Sequence, residues 1–397
     1  MAHKLLAKKF IEESDTQELW PPLYNSSIFV QASGWNSYKY FKKYYYDNTP
    51  FPLLLVIDGN ESIMYLPITQ SRIKSKELFR LYWDNPRILQ LRLVEFNKLA
   101  KRIDNIYFHL SYDYISKAKI SKLLAIVKEL IILTGNMSAL PFFTLNLDAN
   151  ICRDVLEEKH DSDLLKIWAD CTFANFYSFE KRREYFYFNT YLKETTYETV
   201  VEKCQYLFAN YNKVYNLKEV EETFNSHYST DRHQIKKLVE SIRKEETSRN
   251  NKFNKWYQSL SFKERKLAKF IQISLYLRDF RKDYFAKMIT TSYRIAERMF
   301  DQAGIPHDLI LLYGVDELTR GQKALQKSAH LIRERKNGYC TLVHYDGRRE
   351  ESYSAAENKK FITNCYNKQQ KQTGDTSQKL LMVRLVLRVK PGVLFES

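Results

Sequence analysis

Glycine is scarce. The chain has ten in 397 residues, so dispersed that no two form a G-x-G. That excludes the dinucleotide fingerprint and the phosphate-cradling P-loop, both of which need clustered glycines for close backbone approach to phosphate. A G-x-S-x-G nucleophile elbow is also missing. So is H-E-x-x-H, and the eight histidines include one close pair, His227 and His233, whose spacing does not place both on one helical face. Adjacent acids such as Glu221-Glu222 and Glu245-Glu246 diverge on a helix and do not form a carboxylate dyad. The five cysteines are odd in number and none has zinc or redox spacing, which predicts inert thiols in a reducing, cytoplasmic setting. Long apolar runs are absent as well. The most apolar segment, 123–133, contains Lys128 and Glu129 and is far shorter than a bilayer span, and the N-terminus carries no secretory apolar region.

What the chain has in abundance is charge and aromatic rings. Lys and Arg total 63 against 47 Asp and Glu, a net charge of +16, with 29 Tyr and 24 Phe. A basic excess points to a polyanionic partner. It is spread along the chain without a basic tail, and Lys, Asn, Tyr, Phe and Ile are the residues of A/T-rich codons, so compositional drift is the favoured reading.

The stretch from Ser259 to Leu318 is the most informative. Ser261 followed by Glu264 is a capping box. Apolar residues then recur at helical spacing from Leu267 through Phe270, Ile271, Leu277 and Met288 to Met299, and Gly304 with Pro306 stops the run. A helix of roughly 40 residues is about 60 Å long, which makes it a spine. Asp308 is placed to cap the short helix that follows.

Around this spine the pattern predicts a mainly α fold, a multi-helix bundle with two small β-hairpins near 53–66 and 339–353. The hairpins are marked by Asp58-Gly59 and Asp346-Gly347. The first fifty residues read as aromatic and irregular, apart from a Tyr/Lys cluster at 38–46. Helical pattern begins after Pro86 and runs to about Phe108, then from Ser116 to Leu133 and from Ile151 to Glu158. Further helix starts are expected at Asp161 or Ser162, at Thr195 with Glu198, at Asn216 with Glu219, and at Asp231. The expected organisation is a mixed region over 1–150, a helical domain over 151–366, a polar linker over 367–379, and an apolar segment over 380–397 that reads as the first strand of a missing domain.

Candidate anion-binding residues are cationic. Arg278, Arg281 and Lys282 lie at i, i+3 and i+4 on the spine and share a face. Arg333, Arg335 and Lys336 precede the second hairpin. Either group can clamp phosphate or carboxylate. The competing and favoured reading is pairing with Asp279, Asp283 or neighbouring acids for the first group. For the second it is partial service to a helix C-terminal dipole. No catalytic residue and no metal site is assigned.

Residues 278–361 resemble the helical middle segment of the phosphoenolpyruvate-utilising phosphotransferases, a group that includes phosphoenolpyruvate synthase-like proteins and rifamycin-type antibiotic phosphotransferases. The resemblance rests on order and spacing: Arg278 to Lys282, Glu297 to Ile305, Asp308-Leu309, the box from Leu312 to Leu318, Arg333 to Lys336, and the hairpin from Gly338 to Tyr353. Such enzymes use an ATP-grasp domain, with ATP and Mg, to phosphorylate a histidine on a swivelling domain. Here neither domain is recognisable, and Val389-Lys390-Pro391-Gly392 stands where the swivelling domain would begin. The resemblance therefore implies a truncated, incomplete phosphotransferase protein. It would hold a small-molecule acceptor or link phosphotransfer domains, with a phosphocarrier or ATP-grasp partner on another chain. Two alternatives stand beside it: a basic helical nucleic-acid-binding protein, and a protein–protein interaction scaffold.

Overall fold

The computed structural model describes residues 5–14, 23–24, 29, 37–45, 52–58, 61–65, 67–141, 149–171, 179–209, 214–227, 231–344 and 346–373. Among these the fold is mainly α, with one antiparallel sheet. No helix among them is long and apolar enough to cross a membrane. The chain forms two compact units. One contains 1–25, 51–70 and 334–397, and the other 26–50 and 71–333. The boundary expected near residue 150 falls inside the second unit, and the first unit draws on both ends of the chain.

In the first unit the two hairpins expected from sequence belong to a single sheet. β1 (Leu23–Tyr24) pairs with β3 (Glu61–Tyr65), which pairs with β2 (Leu53–Asp58), and β2 pairs in turn with β4 (Tyr339–Val343), which is followed by β5 (Arg349–Ser352). The register sets Val56 opposite Ile63 on one side and Cys340 on the other. β2 is therefore a central strand, and this explains why Leu53 to Ile57 is a continuous apolar run, buried throughout, instead of an alternating one. Helix α1 (Leu6–Ser14) supplies Leu6, Ala7 and Phe10 to the core that Leu54, Val56 and Leu342 share with Ile362 of the C-terminal helix, Ala355–Thr373. That helix occupies the first part of the expected polar linker, while 380–397 lies outside the described residues. Buried Asn358 accepts from the Ala7 N–H at 2.6 Å and donates to the Ser354 carbonyl at 2.9 Å. It thus satisfies one of the first-turn donors that α1 cannot pair internally. His344 sits between Glu13 and Glu350, with its Nε2 3.3 Å from the latter, and Lys9 closes the group on Glu350 at 2.9 Å. At the β4–β5 turn Gly347 adopts φ +83°, a conformation that glycine takes without steric penalty.

The second unit is helical. Its elements run α2 (Tyr38–Tyr45), α3 (Ile68–Asp84, its first turn in the other unit), α4 (Arg87–His109), α5 (Tyr112–Lys117), α6 (Ile120–Ala139) and α7 (Ala149–Glu158). Then come α8 (Trp168–Cys171), α9 (Phe179–Lys193), α10 (Tyr197–Cys204), α11 (Leu217–His227), α12 (Arg232–Ser259), α13 (Phe262–Ala303) and α14 (Gln322–Glu334). The C-terminal helix of the first unit is α15. The spine is α13, 42 residues long. Ser261 Oγ accepts from the Glu264 N–H, and Glu264 Oε2 accepts from the Ser261 N–H at 2.8 Å, so the capping box closes in both directions. At the other end Gly304 takes φ +64°, and the Ile305 N–H reaches back to the Phe300 carbonyl at 3.0 Å, a Schellman-type stop. Along its first half Phe270 packs against Phe79 and Tyr82 of α3, and Phe96 of α4 meets Tyr276 and Tyr284 edge-on. From Ala286 to Phe300 nearly every position is buried, so this half is enclosed by other helices on all sides.

Several boundaries differ from expectation for local reasons. Thr196, not Thr195, caps α10. Asp308 is not the N-cap, because the 3-10 turn at His307–Leu312 starts after Pro306 and Asp308 falls inside its first turn. The helix expected from Ser116 is broken at Lys119, where the chain turns extended between α5 and α6. Asn216 and Glu219 do cap α11 reciprocally, at 2.9 and 3.0 Å, and Asp231 caps α12. The Gly59-Asn60 connection lies outside the described residues. Because no atom lies within 4 Å of a Cβ built at Gly304, Gly304→Ala tests backbone conformation alone. It is expected to lose about 1 kcal/mol in urea denaturation, with an unchanged denaturant slope.

Candidate functional site

The enclosed half of α13 carries a polar seam. Asp283, Lys287, Thr290, Arg294, Glu297 and Asp301 follow one another at steps of four and three residues, which keeps them on one face. The neighbouring elements answer Asp283, Lys287, Arg294, Glu297 and Asp301, while the buried Thr290 hydroxyl has no hydrogen-bond partner among the described residues. Arg182 of α9 binds Asp283 Oδ2 through Nε at 3.1 Å and Nη2 at 2.9 Å, and lies 4.0 Å over the Phe280 ring. Lys287 meets Asp104 of α4 at 2.6 Å, and its ammonium is ringed by Tyr206, Tyr284 and Phe108 at 4.8, 5.1 and 5.2 Å.

Among the described residues Arg294 is the most deeply buried cation, 2% exposed. Its Nε donates to Gln205 Oε1 at 2.7 Å and its Nη1 to the Leu110 carbonyl at 3.2 Å. Nη2 donates to the Glu202 carbonyl at 2.6 Å and to Tyr107 Oη at 3.3 Å. The guanidinium also faces the rings of Tyr107 and Tyr112. Two of these acceptors belong to helix C-termini: Glu202 lies in the last turn of α10, its carbonyl also accepting from the Gln205 N–H, and Leu110 follows α4. The negative end of the helix dipole favours a cation there. All three guanidinium nitrogens are committed to the protein, so Arg294 is a structural clamp.

Glu297 is the member with acid–base potential. Burial pushes its carboxyl above the usual range, against the opposing hydrogen bond from Tyr112 Oη at 3.1 Å and the nearby His307. His307 Nδ1 lies 4.0 Å from Glu297, and its Nε2 contacts Asp301 at 2.7 Å. Asp283 is likewise raised by burial, with Arg182 pulling the other way. Burial drives Tyr107 to about 12 and the Cys171 thiol to about 12, so neither offers an anion at neutral pH. No group of three or more His, Cys, Asp or Glu able to hold a metal ion occurs among the described residues.

The sequence-selected cations fare differently. Arg278 and Lys282 flank Asp279 at 3.9 and 3.8 Å, and Arg281 is half-buried beside them on the same helix. Arg333 and Lys336 are exposed. Arg335 is buried, 4.8 Å over the Tyr339 ring and 3.7 Å from Glu351. It therefore holds the entry to β4 instead of pointing outward with its neighbours. Arg333 belongs to one compact unit, Arg335 and Lys336 to the other. Sequence reasoning missed the seam. Its 4-3 spacing was readable, but charged residues at helical spacing ordinarily mark a solvated face. Comparisons with known families, with curated proteins and with solved structures yield no match.

Replacing Arg294 by Met should cost about 3–5 kcal/mol, because buried acceptors lose their donor, whereas Arg278→Met should stay within about 0.5 kcal/mol. Urea titration of both variants checks the contrast. A carboxyl whose folded pKa is raised contributes stability below its unfolded pKa and loses it as pH rises through the folded value. Melting temperatures measured from acid to neutral pH should therefore fall less in Glu297→Gln than in the parent.

Proposed function

We propose that this chain is the helical, acceptor-holding or domain-linking part of a phosphoenolpyruvate-utilising type phosphotransfer system. It would work with ATP-grasp and phosphohistidine-bearing domains on another chain, which would carry ATP and Mg. The supporting observation is the order of elements. The long helix stops at Gly304-Ile305. Two short 3-10 turns follow, at His307–Leu312 and Glu317–Arg320, and in the second the Glu317 carboxylate accepts from the Gly314 N–H at 2.7 Å. The basic α14, the β4–β5 hairpin and α15 come next. This order supports the reading because it runs parallel to the succession of motifs from Arg278 to Phe361 on which the resemblance rests. Arg278, Arg281 and Lys282 are the contacts offered to an anionic group on the partner, since charge neutralisation and positioning carry most of phosphoryl transfer.

The test mixes the full chain with separately produced ATP-grasp and phosphohistidine domains of a phosphoenolpyruvate synthase. Co-elution with at least one domain is expected, weakened at least 10-fold by Arg278→Glu combined with Lys282→Glu. Independent elution from both domains, with and without ATP and Mg, overturns the reading.

A further inference from the structure

Independently of that reading, the C-terminal half of α12 carries a feature that neither the seam nor the family resemblance uses. Lys244, Thr247, Ser248, Asn251, Lys252 and Lys255 line an open groove. Their spacing of three, one, three, one and three residues places them on one stripe of the helix, and all six are exposed. None of the three lysines pairs with a carboxylate among the described residues. The helix does carry acids. Glu245, however, is drawn off the stripe to Lys181 of α9 at 3.6 Å and to Arg249 at 3.2 Å. Glu240, one turn before Lys244, is the nearest carboxylate along the stripe itself. The opposite side of α12 is anchored by Ile235, Val239, Ile242 and Phe253, so the stripe faces outward by construction.

Three features select the ligand class. From Lys244 to Lys255 is eleven residues, about 16 Å along the axis, too far for one small anion and suited to a polymer of repeated negative charge. Hydroxyls and an amide fill the intervals between the lysines, the side chains that accompany cations on a phosphate backbone. The stripe offers no apolar residue to enter a lipid surface, which an interfacial helix requires. Beside its end, Trp256 is half-buried and packs on Phe253, at 5.5 Å between ring centroids. It supplies a ring face on which a base stacks. We infer that the Lys244–Lys255 stripe of α12 binds the phosphodiester backbone of a nucleic acid, single-stranded in preference to duplex, without base specificity.

Fluorescence anisotropy with a labelled 20-mer of oligo(dT) tests this on the full chain. Three phosphate contacts give a slope of about −2 in log K against log salt, a loss of about 15-fold between 50 and 200 mM KCl. Lys244→Glu/Lys252→Glu/Lys255→Glu should lower affinity at 50 mM KCl at least 10-fold, and the corresponding triple Gln variant by a smaller factor, both with the parental melting curve. A 20-mer duplex should bind more weakly than the single strand. No binding of the parent at 25 mM KCl overturns the inference. So does unchanged binding by both folded variants, equal affinity for poly-glutamate of matched length, or capture by phosphatidylserine vesicles without capture of oligonucleotide.

Discussion

A helix enclosed on every side has no solvated face on which to place its polar residues, and that constraint organises the helical unit. Between Ala286 and Phe300 the spine buries Lys287, Thr290, Thr291, Ser292 and Arg294 together with its apolar side chains. A buried cation without partners is far more costly than the loss of one apolar contact. The surrounding helices must therefore arrive with acceptors already in register, and Arg294 is where that demand is greatest. It is met by main-chain carbonyls at two helix ends, by Gln205 and by the Tyr107 hydroxyl.

The same contacts explain the placement of elements far apart in sequence. Tyr107 Oη donates towards the Glu202 and Lys203 carbonyls, and the Tyr206 N–H donates back to it. Gln205 bridges Arg294 and the Tyr215 carbonyl, and Glu202 Oε1 accepts from the Tyr112 N–H at 2.6 Å. The ends of α4 and α10 and the start of α5 are thereby gathered round one guanidinium. Carbonyls at helix C-termini become the means by which these helices recognise the spine. A hydrophobic interface tolerates sliding. A guanidinium with fixed donor directions does not, so the seam sets register as well as contributing stability.

Local signals in the sequence were read well where the physics is local. The capping box at Ser261, the Gly304 stop, the Asn216–Glu219 pair, the Asp231 cap and both hairpins all appear where side-chain chemistry and turn residues place them. What could not be read depends on distant partners. β2 joins β4 from the opposite end of the chain, and no neighbouring residue announces that pairing. The run Leu53–Ile57 signals burial on both faces but not by what. α1 is short, and it is held by Asn358 and by the sheet core from the far end of the sequence. Residues 68–84 likewise carry no expected helix, although α3 lies there; it packs its Phe79 and Tyr82 against Phe270 of the spine. The seam inverts the usual rule. Its residues from Asp283 to Arg294 look solvated, and only the helices that cover them reveal that they are buried or half-buried.

This inversion separates the cations of a strongly basic chain into two populations. Arg182, Lys287, Arg294 and Arg335 have their donors and ring contacts inside the fold, and their charge is already balanced by carboxylates, carbonyls and aromatic faces. A ligand reaching any of them would have to displace partners that the fold requires. The lysines of the outer stripe of α12 have no such obligations, and their hydration is released when an anion arrives. Cationic motifs read from sequence cannot tell the two populations apart, because Arg335 and Lys336 are adjacent in the chain and opposite in role. The charge a protein offers to a partner is the part its own folding has left unpaired. In the helical unit that part lies most plainly outside the seam, along a helix whose buried edge exists to hold the other edge in water.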